Sequence, residues 1–91
     1  MEISKIFIIY GRVQGVGFRY FTWKEAIRLG IKGSVKNLSD GSVQVIVQGN
    51  KDNIDLFREW LKQGPRTASV KQVLEQDYDK TTQYIEFSIL R

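Results

Sequence analysis

The chain has 91 residues, of which 42% are hydrophobic and 26% are charged, and its formal net charge is +4. This length and composition are typical of one small globular domain, and we expect residues 1–91 to form it. The absence of cysteine and histidine excludes disulfides and thiolate nucleophiles, and it removes the usual ligands of zinc, haem and iron–sulfur clusters. We therefore expect no metal and no cofactor.

The hydrophobic segments are short. The longest, Ile6–Tyr10, is far too short to cross a bilayer, and the first residues lack the cationic patch and apolar stretch of a signal peptide. We therefore expect a cytoplasmic protein that does not bind a membrane, and we expect it to be a monomer.

Positive charge is concentrated in the first part of the chain. Residues 1–38 carry seven Lys and Arg against two acidic residues, whereas residues 39–91 carry seven against eight. Such an excess attracts anions. Taken alone it would more often indicate a solvated basic face, but here it surrounds a glycine-rich segment, which favours an anion site.

Hydrophobic periodicity and turn residues predict five strands and two helices. We expect Gly30 to end the first helix, Asp52 to cap the second, and Gly64-Pro65 to end it. Ser39-Asp40-Gly41 predicts a hairpin turn. The predicted strands are Ile3–Arg12, Ile31–Leu38, Ser42–Gln48, Val70–Leu74 and Tyr84–Leu90, and the first helix is Arg19–Leu29.

The order of elements is βαββαβ with an extra C-terminal strand. Helices that are apolar along one stripe cover one face of a sheet, so the order predicts a ferredoxin-like α+β sandwich: an antiparallel sheet of four or five strands with two helices on one face. The fold hosts unrelated functions and does not decide this one. The residues expected on buried faces are Phe18, Phe21 and Leu29, then Val43, Val45 and Val47, then Ile54, Phe57 and Leu61, and last Ile85, Phe87 and Ile89.

A glycine-rich segment, Gly11–Arg19, joins the first strand to the first helix. Glycine permits positive φ angles and close approach to a ligand, a helix N-terminus offers unpaired N–H groups, and Arg19 adds a planar fork of donors. The segment therefore predicts a phosphate cradle. It is neither a Walker A loop nor a dinucleotide fingerprint, and by itself it could equally be a structural turn.

A second segment, Gly33–Gly49, lies on the two strands expected beside the first. Together the two segments resemble the two signature motifs of the acylphosphatase family, in order and about fifteen residues apart. The pattern departs at Ser34, where the family usually has an aromatic residue; this bears on packing and acyl-group preference but removes no phosphate ligand. The matching residues are Ile9, Gly11, Val13, Gln14, Gly15, Val16, Phe18 and Arg19, then Gly33, Val35, Lys36, Asn37, Gly41, Val43 and Gly49.

The resemblance implies hydrolysis of acyl phosphates to a carboxylate and inorganic phosphate, without a metal. It implies that Asn37 orients the attacking water and that Thr22 gives a supporting hydrogen bond. Without the motif, Arg19 could be a surface ion-pair residue, Asn37 a turn former and Thr22 a helix-packing residue. The residues implied to bind the phosphate are Arg19, through its side chain, and Gly15, Val16, Gly17, Phe18 and Arg19, through their backbone N–H groups.

Elementary chemistry agrees with this substrate class. The carboxylate leaving group of an acyl phosphate has a pKa of about 4, like an aspartate side chain, so it departs without a general acid. One alternative is an RNA-binding domain, which shares the βαββαβ order; its third strand needs exposed aromatic residues, and strand Ser42–Gln48 has none. We therefore expect no nucleic-acid partner. A second alternative is a phosphate-sensing domain with slow turnover.

Overall fold

A computed structural model describes residues 2–78 and 83–91 of the chain. The element order is the predicted one, with a strand added after βαββαβ. The two helices pack on one face of a five-stranded sheet, so the ferredoxin-like α+β fold is confirmed. The elements are β1 Glu2–Arg12, α1 Phe18–Leu29, β2 Lys32–Asn37, β3 Val43–Asn50, α2 Lys51–Gln63, β4 Ser69–Asp77 and β5 Phe87–Ile89.

The strand order in the sheet is β4-β1-β3-β2-β5. The pairs β1–β4, β1–β3 and β2–β3 are antiparallel, but β2 and β5 are parallel, so the prediction of an antiparallel sheet needs correction at this edge. The reason is topological: β4 ends at the end of the sheet where β2 begins, and β5 starts from that same end on the opposite edge.

The core lies between the sheet and the helices. Val43, Val45 and Val47 are fully buried, as the alternation in β3 predicted. The stripe predicted on α2 is also fully buried and belongs to the same cluster. A helix face and a strand face of matching hydrophobicity thus meet. The α2 residues are Ile54, Phe57 and Leu61.

The buried face of α1 differs from the predicted one at Phe21, whose side chain is 36% exposed. The helix begins at Phe18, and residues four apart from that start share its buried face. The Phe21 ring lies to the side, edge-on to Tyr20 with centroids 5.4 Å apart. Gly30 ends the helix in the left-handed region, as predicted. The buried residues of α1 are Phe18, Thr22, Ala26 and Leu29.

The N-cap of α2 is Asn50 and not the predicted Asp52. The Asn50 side-chain oxygen accepts a hydrogen bond of 2.9 Å from the Asn53 N–H. Because the helix begins at Lys51, Asp52 lies in its first turn, where a carboxylate still interacts favourably with the helix dipole. The prediction was wrong because asparagine and aspartate both favour N-cap positions, and the sequence places Asn50 and Asp52 only two positions apart.

The two C-terminal strands also differ from their predicted extents. β4 extends beyond the predicted 70–74, whereas β5 covers only Phe87–Ile89 of the predicted 84–90. Ile85 is 87% exposed and Ile89 is 42% exposed, so only Phe87 is buried on the expected face. The Tyr84 N–H donates to Gln48 Oε1 over 3.0 Å, which holds this part of the chain against β3 before the ladder with β2 begins.

No helix among residues 2–78 and 83–91 is long and apolar enough to cross a membrane.

Gly33 near the start of β2 occupies a position that no other residue fits. Its φ is +146°, and a Cβ built there would lie 1.8 Å from the Ile46 carbonyl oxygen of β3. Its N–H donates to Glu86 O over 3.0 Å. The close approach of the two backbones therefore depends on glycine.

We expect Gly33→Ala to lower the free energy of unfolding by about 3 kcal/mol or more, because the methyl group meets a backbone oxygen at a positive φ. Urea unfolding followed by circular dichroism measures this. Gly49→Ala is the control, since its Cβ would make an ordinary contact of 3.5 Å with Ile31. Equal stabilities of the two variants would contradict this account of Gly33.

Candidate active site

The loop between β1 and α1 has the geometry of an anion-binding turn. Gly15 and Gly17 have φ of +74° and +79°, whereas Val16 between them has a negative φ. Changes in the sign of φ between neighbouring residues can direct successive backbone N–H groups into one concavity that binds anions. At Gly15 a Cβ would meet nothing within 4 Å, so the backbone angle and not space explains this glycine.

The N-terminus of α1 opens onto this loop. Its cap residue, Gly17, has no side chain to accept a hydrogen bond, and the first turn contains no acidic residue. The first helical hydrogen bond runs from Phe21 N–H to Gly17 O over 3.1 Å. The N–H groups of the first turn have no partner within the helix and carry its partial positive charge, which suits them to an anion.

A pocket of about 820 Å³ lies at this end of the molecule. It brings together five of the predicted site residues, which come from the loop, from α1 and from the end of β2. Its size is within the range of small-molecule sites, roughly 300–1,000 Å³. The lining residues are Val13, Gly15, Gly17, Phe18, Arg19, Tyr20, Asn37, Ile89 and Arg91.

Arg19 is the second residue of α1 and lines the pocket. Its Nη1 donates to the Leu90 carbonyl oxygen over 2.9 Å, which fixes the guanidinium while most of its five N–H donors are left for other acceptors. Arg91 also lines the pocket, and none of the lining residues is acidic. The pocket therefore has a positive potential that favours an anion.

Asn37 is the last residue of β2 and pairs with Val43 of β3. Its side-chain Oδ1 is buried, and the part of the chain that the structure describes offers it no hydrogen-bond partner. A buried acceptor without a partner is costly, and such groups often mark function. In a pocket, this oxygen is suited to accept a hydrogen bond from a bound water.

Two predicted site residues lie outside the lining of the pocket. Val16 packs against the core with its side chain, and its carbonyl oxygen accepts a hydrogen bond of 2.6 Å from Thr67 Oγ1. Thr22 is fully buried on α1, and its Oγ1 has no hydrogen-bond partner within residues 2–78 and 83–91. The supporting role of Thr22 therefore stays a prediction.

The hairpin turn after Asn37 is the predicted one. Leu38 N–H donates to Ser42 O over 2.8 Å, and Gly41 N–H donates to Leu38 O over 3.2 Å. Asp40 accepts hydrogen bonds from the hydroxyl and the backbone N–H of Ser42, and these bonds hold the pKa of the Asp40 carboxyl below its ordinary value. An ionised Asp40 thus stabilises the turn.

Gln14 spans the gap between the loop and this turn. Its Nε2 donates to Leu38 O over 2.7 Å and to Ser42 O over 2.8 Å. Gln14 belongs to the first motif, but the sequence alone indicates no role for it. Its position directly before Gly15 could have indicated that it lies beside the anion-binding loop.

Four lining residues were not predicted as site residues: Val13, Tyr20, Ile89 and Arg91. Val13 lies within the first motif and Tyr20 directly follows it, so both could have been found from it. Ile89 and Arg91 reach the pocket because β5 pairs with β2. This pairing joins distant parts of the chain, so no local sequence pattern predicts it.

Ser34, where the motif departs from the family pattern, does not line the pocket. It is buried on β2, opposite Ile46 of β3 and Ser88 of β5. The Tyr84 hydroxyl is hydrogen-bonded to the Ser34 side chain, and burial raises the pKa of Tyr84. An aromatic residue from another part of the chain therefore lies beside position 34.

No group of three or more Asp, Glu, His or Cys residues that could hold a metal ion exists among the described residues. The arrangement can bind an anion through backbone N–H groups and guanidinium, and it can orient a water through an amide.

Comparisons with solved structures agree with this fold. The chain is 34% identical to acylphosphatase from Bacillus subtilis, with a TM-score of 0.93 over 100% of both chains. It is 36% identical to an acylphosphatase from Coxiella burnetii, with a TM-score of 0.92 over 98% of this chain and 93% of that one.

Sequence comparisons agree as well. An acylphosphatase from Pasteurella multocida (strain Pm70) is 53% identical over 87 residues, which cover 96% of this chain and 97% of that protein. The family model described as Acylphosphatase matches residues 5–89, which include both motifs. The chain therefore belongs to the acylphosphatase family.

Proposed function

We propose that this chain hydrolyses the carboxyl–phosphate bond of acyl phosphates, releasing a carboxylate and inorganic phosphate. The observation that carries the proposal is the convergence of Gly15, Gly17, Arg19 and Asn37 on one pocket without an acidic lining residue. The membership of the acylphosphatase family supports the same reaction. Hydrolysis of benzoyl phosphate by the purified protein tests it directly.

In the proposed reaction, the phosphate binds to the backbone N–H groups of residues 15–19 and to the Arg19 guanidinium. Phosphoryl transfer passes through a loose transition state with charge spread over the equatorial oxygens, so positioning and electrostatics supply most of the catalysis. The positive φ angles of Gly15 and Gly17 fix these donors before the substrate arrives.

Asn37 orients the attacking water in this proposal. Its Oδ1 is buried and has no partner in the described part of the chain, so a water hydrogen can bond to it. An amide aims a water but does not deprotonate it, and the proton passes to the phosphate. Thr22 supports the site through its hydroxyl, whose oxygen is likewise buried without a described partner.

The leaving group explains why this set of residues suffices. The carboxylate departs as an anion at neutral pH because its pKa is about 4. The chain has no histidine or cysteine and the pocket lining has no Asp or Glu side chain, so it lacks the general acid that a phosphate monoester with a poor leaving group requires. We infer that the substrates are acyl phosphates and that the enzyme acts as a monomer without nucleic acid.

We expect Arg19→Ala to lower kcat/KM for benzoyl phosphate by about 100-fold or more, because the charge that develops on the phosphate loses its strongest donor. Competitive inhibition by inorganic phosphate should weaken in parallel. Arg12→Ala is the control, since exposed Arg12 ends β1 outside the pocket lining. An equal loss of kcat/KM in both variants would contradict direct binding of the phosphate by Arg19 and would indicate that only the net positive charge matters.

We expect Asn37→Ala to lower kcat by about 100-fold while the inhibition constant of inorganic phosphate stays close to its wild-type value. The reason is that the water loses its acceptor but the phosphate keeps its donors. Gln44→Ala removes an amide from the neighbouring strand, one pair along the ladder, and should keep its turnover. A parallel loss of phosphate binding in Asn37→Ala would contradict this division of roles.

We expect EDTA to leave the rate of benzoyl phosphate hydrolysis unchanged, because backbone N–H groups and Arg19 take the part that a metal plays in other phosphatases. The measurement is the initial rate after dialysis against the chelator, compared with a sample to which Mg²⁺ is returned. A rate that falls with EDTA and recovers with Mg²⁺ would overturn the mechanism.

A further inference from the structure

Gln14 makes the one side-chain connection, among the residues that the structure describes, between the phosphate loop and the turn that follows Asn37. Both hydrogens of its amide nitrogen are used, one on Leu38 O at 2.7 Å and one on Ser42 O at 2.8 Å. Along the chain, Gln14 directly precedes Gly15, and Leu38 directly follows Asn37. One end of this connection is therefore next to the phosphate-binding loop, and the other end is next to Asn37.

The turn does not need Gln14 for its own closure. Leu38 N–H already donates to Ser42 O, and Gly41 N–H already donates to Leu38 O. Gln14 adds a second donor to each of these two carbonyl oxygens, which have two lone pairs each. What its side chain contributes is therefore a fixed separation between the two segments and not the hairpin itself.

We propose that Gln14 is a positioning residue for hydrolysis: it holds the Asn37 amide at the reacting distance from the phosphate bound in the loop. The inference rests on the proposed role of Asn37. An error of about 1 Å in the position of a reacting group can cost about 100-fold in rate, so a connection of two short hydrogen bonds between the halves affects kcat. In the proposed site, phosphate affinity depends on the loop and on Arg19 but not on the turn, so it is much less affected.

A second tether of the loop provides the comparison. Thr67 Oγ1 donates to Val16 O over 2.6 Å and joins the loop to the segment between α2 and β4, away from Asn37. Loss of this bond loosens the phosphate loop without changing what holds the turn. Thr67→Val should therefore weaken inhibition by inorganic phosphate at least as much as it lowers kcat, whereas Gln14 variants should do the opposite.

The experiment is a double-mutant cycle with Gln14→Met, which keeps the length of the side chain but has no donor, and with Asn37→Ala. We expect Gln14→Met alone to lower kcat for benzoyl phosphate by about tenfold or more and to change the phosphate inhibition constant by less than about twofold. In the Asn37→Ala background, the same substitution should change kcat by less than about twofold, because it acts through Asn37.

Two further variants separate positioning from loss of folding. Asn50→Ala removes the N-cap of α2, remote from the pocket lining, and should lower Tm while kcat at a temperature below unfolding is kept. If Gln14→Met fails to fold, Gln14→Ala replaces it, since alanine also has no side-chain donor and adds no charge beside the loop.

The outcomes are distinct. An equal loss of kcat from Gln14→Met in both backgrounds, or a loss matched by weaker phosphate inhibition, would overturn the positioning role of Gln14. Full turnover of Asn37→Ala alone would instead overturn the proposed role of Asn37, whatever Gln14→Met does.

Discussion

The pairing of β1 with β3 and of β3 with β2 is the constraint on which the site depends. Ile9 of β1 pairs with Val43 of β3, and Val43 pairs with Asn37 of β2. The loop that leaves β1 and the side chain that ends β2 therefore lie at the same end of the sheet. A slip of one residue in the β2–β3 ladder would move the Asn37 side chain to the other face of the sheet. Val35 of β2 opposes such a slip, because its fully buried side chain would leave the core as well.

On this frame, the chemistry proposed for the enzyme needs little from its side chains. Backbone N–H groups at the start of α1 and one arginine bind the charge, and one amide holds a water. Fixed dipoles of this kind cost no reorganisation during reaction. In this proposal, the small number of functional groups also limits the substrates. A leaving group with a high pKa would require a general acid, and no Asp or Glu side chain lines the pocket.

Local patterns predicted most of the fold, and non-local contacts account for what they missed. The alternation in β3, the stripe on α2 and Gly30 after α1 were read correctly because each depends on nearby residues. The cap at Asn50 was missed because two good cap residues stood close together. The parallel edge and the pocket residues Ile89 and Arg91 were missed because they depend on where the last strand joins the sheet. For the site itself, the motifs indicated Arg19 and Asn37, but periodicity alone would have left the loop a turn.

The unpaired oxygen of Asn37 shows how the fold and the proposed site are related energetically. A buried acceptor without a partner costs about 1–3 kcal/mol, and nothing in the core of this sheet requires one. The cost is tolerated because β2 holds the residue rigidly through its ladder with β3 and because Gly33 lets the two backbones approach closely. In the proposed reaction, the attacking water would offset this cost by donating a hydrogen bond to that oxygen. Placing such a group at the end of a strand, and not on a loop, keeps its direction fixed relative to the phosphate.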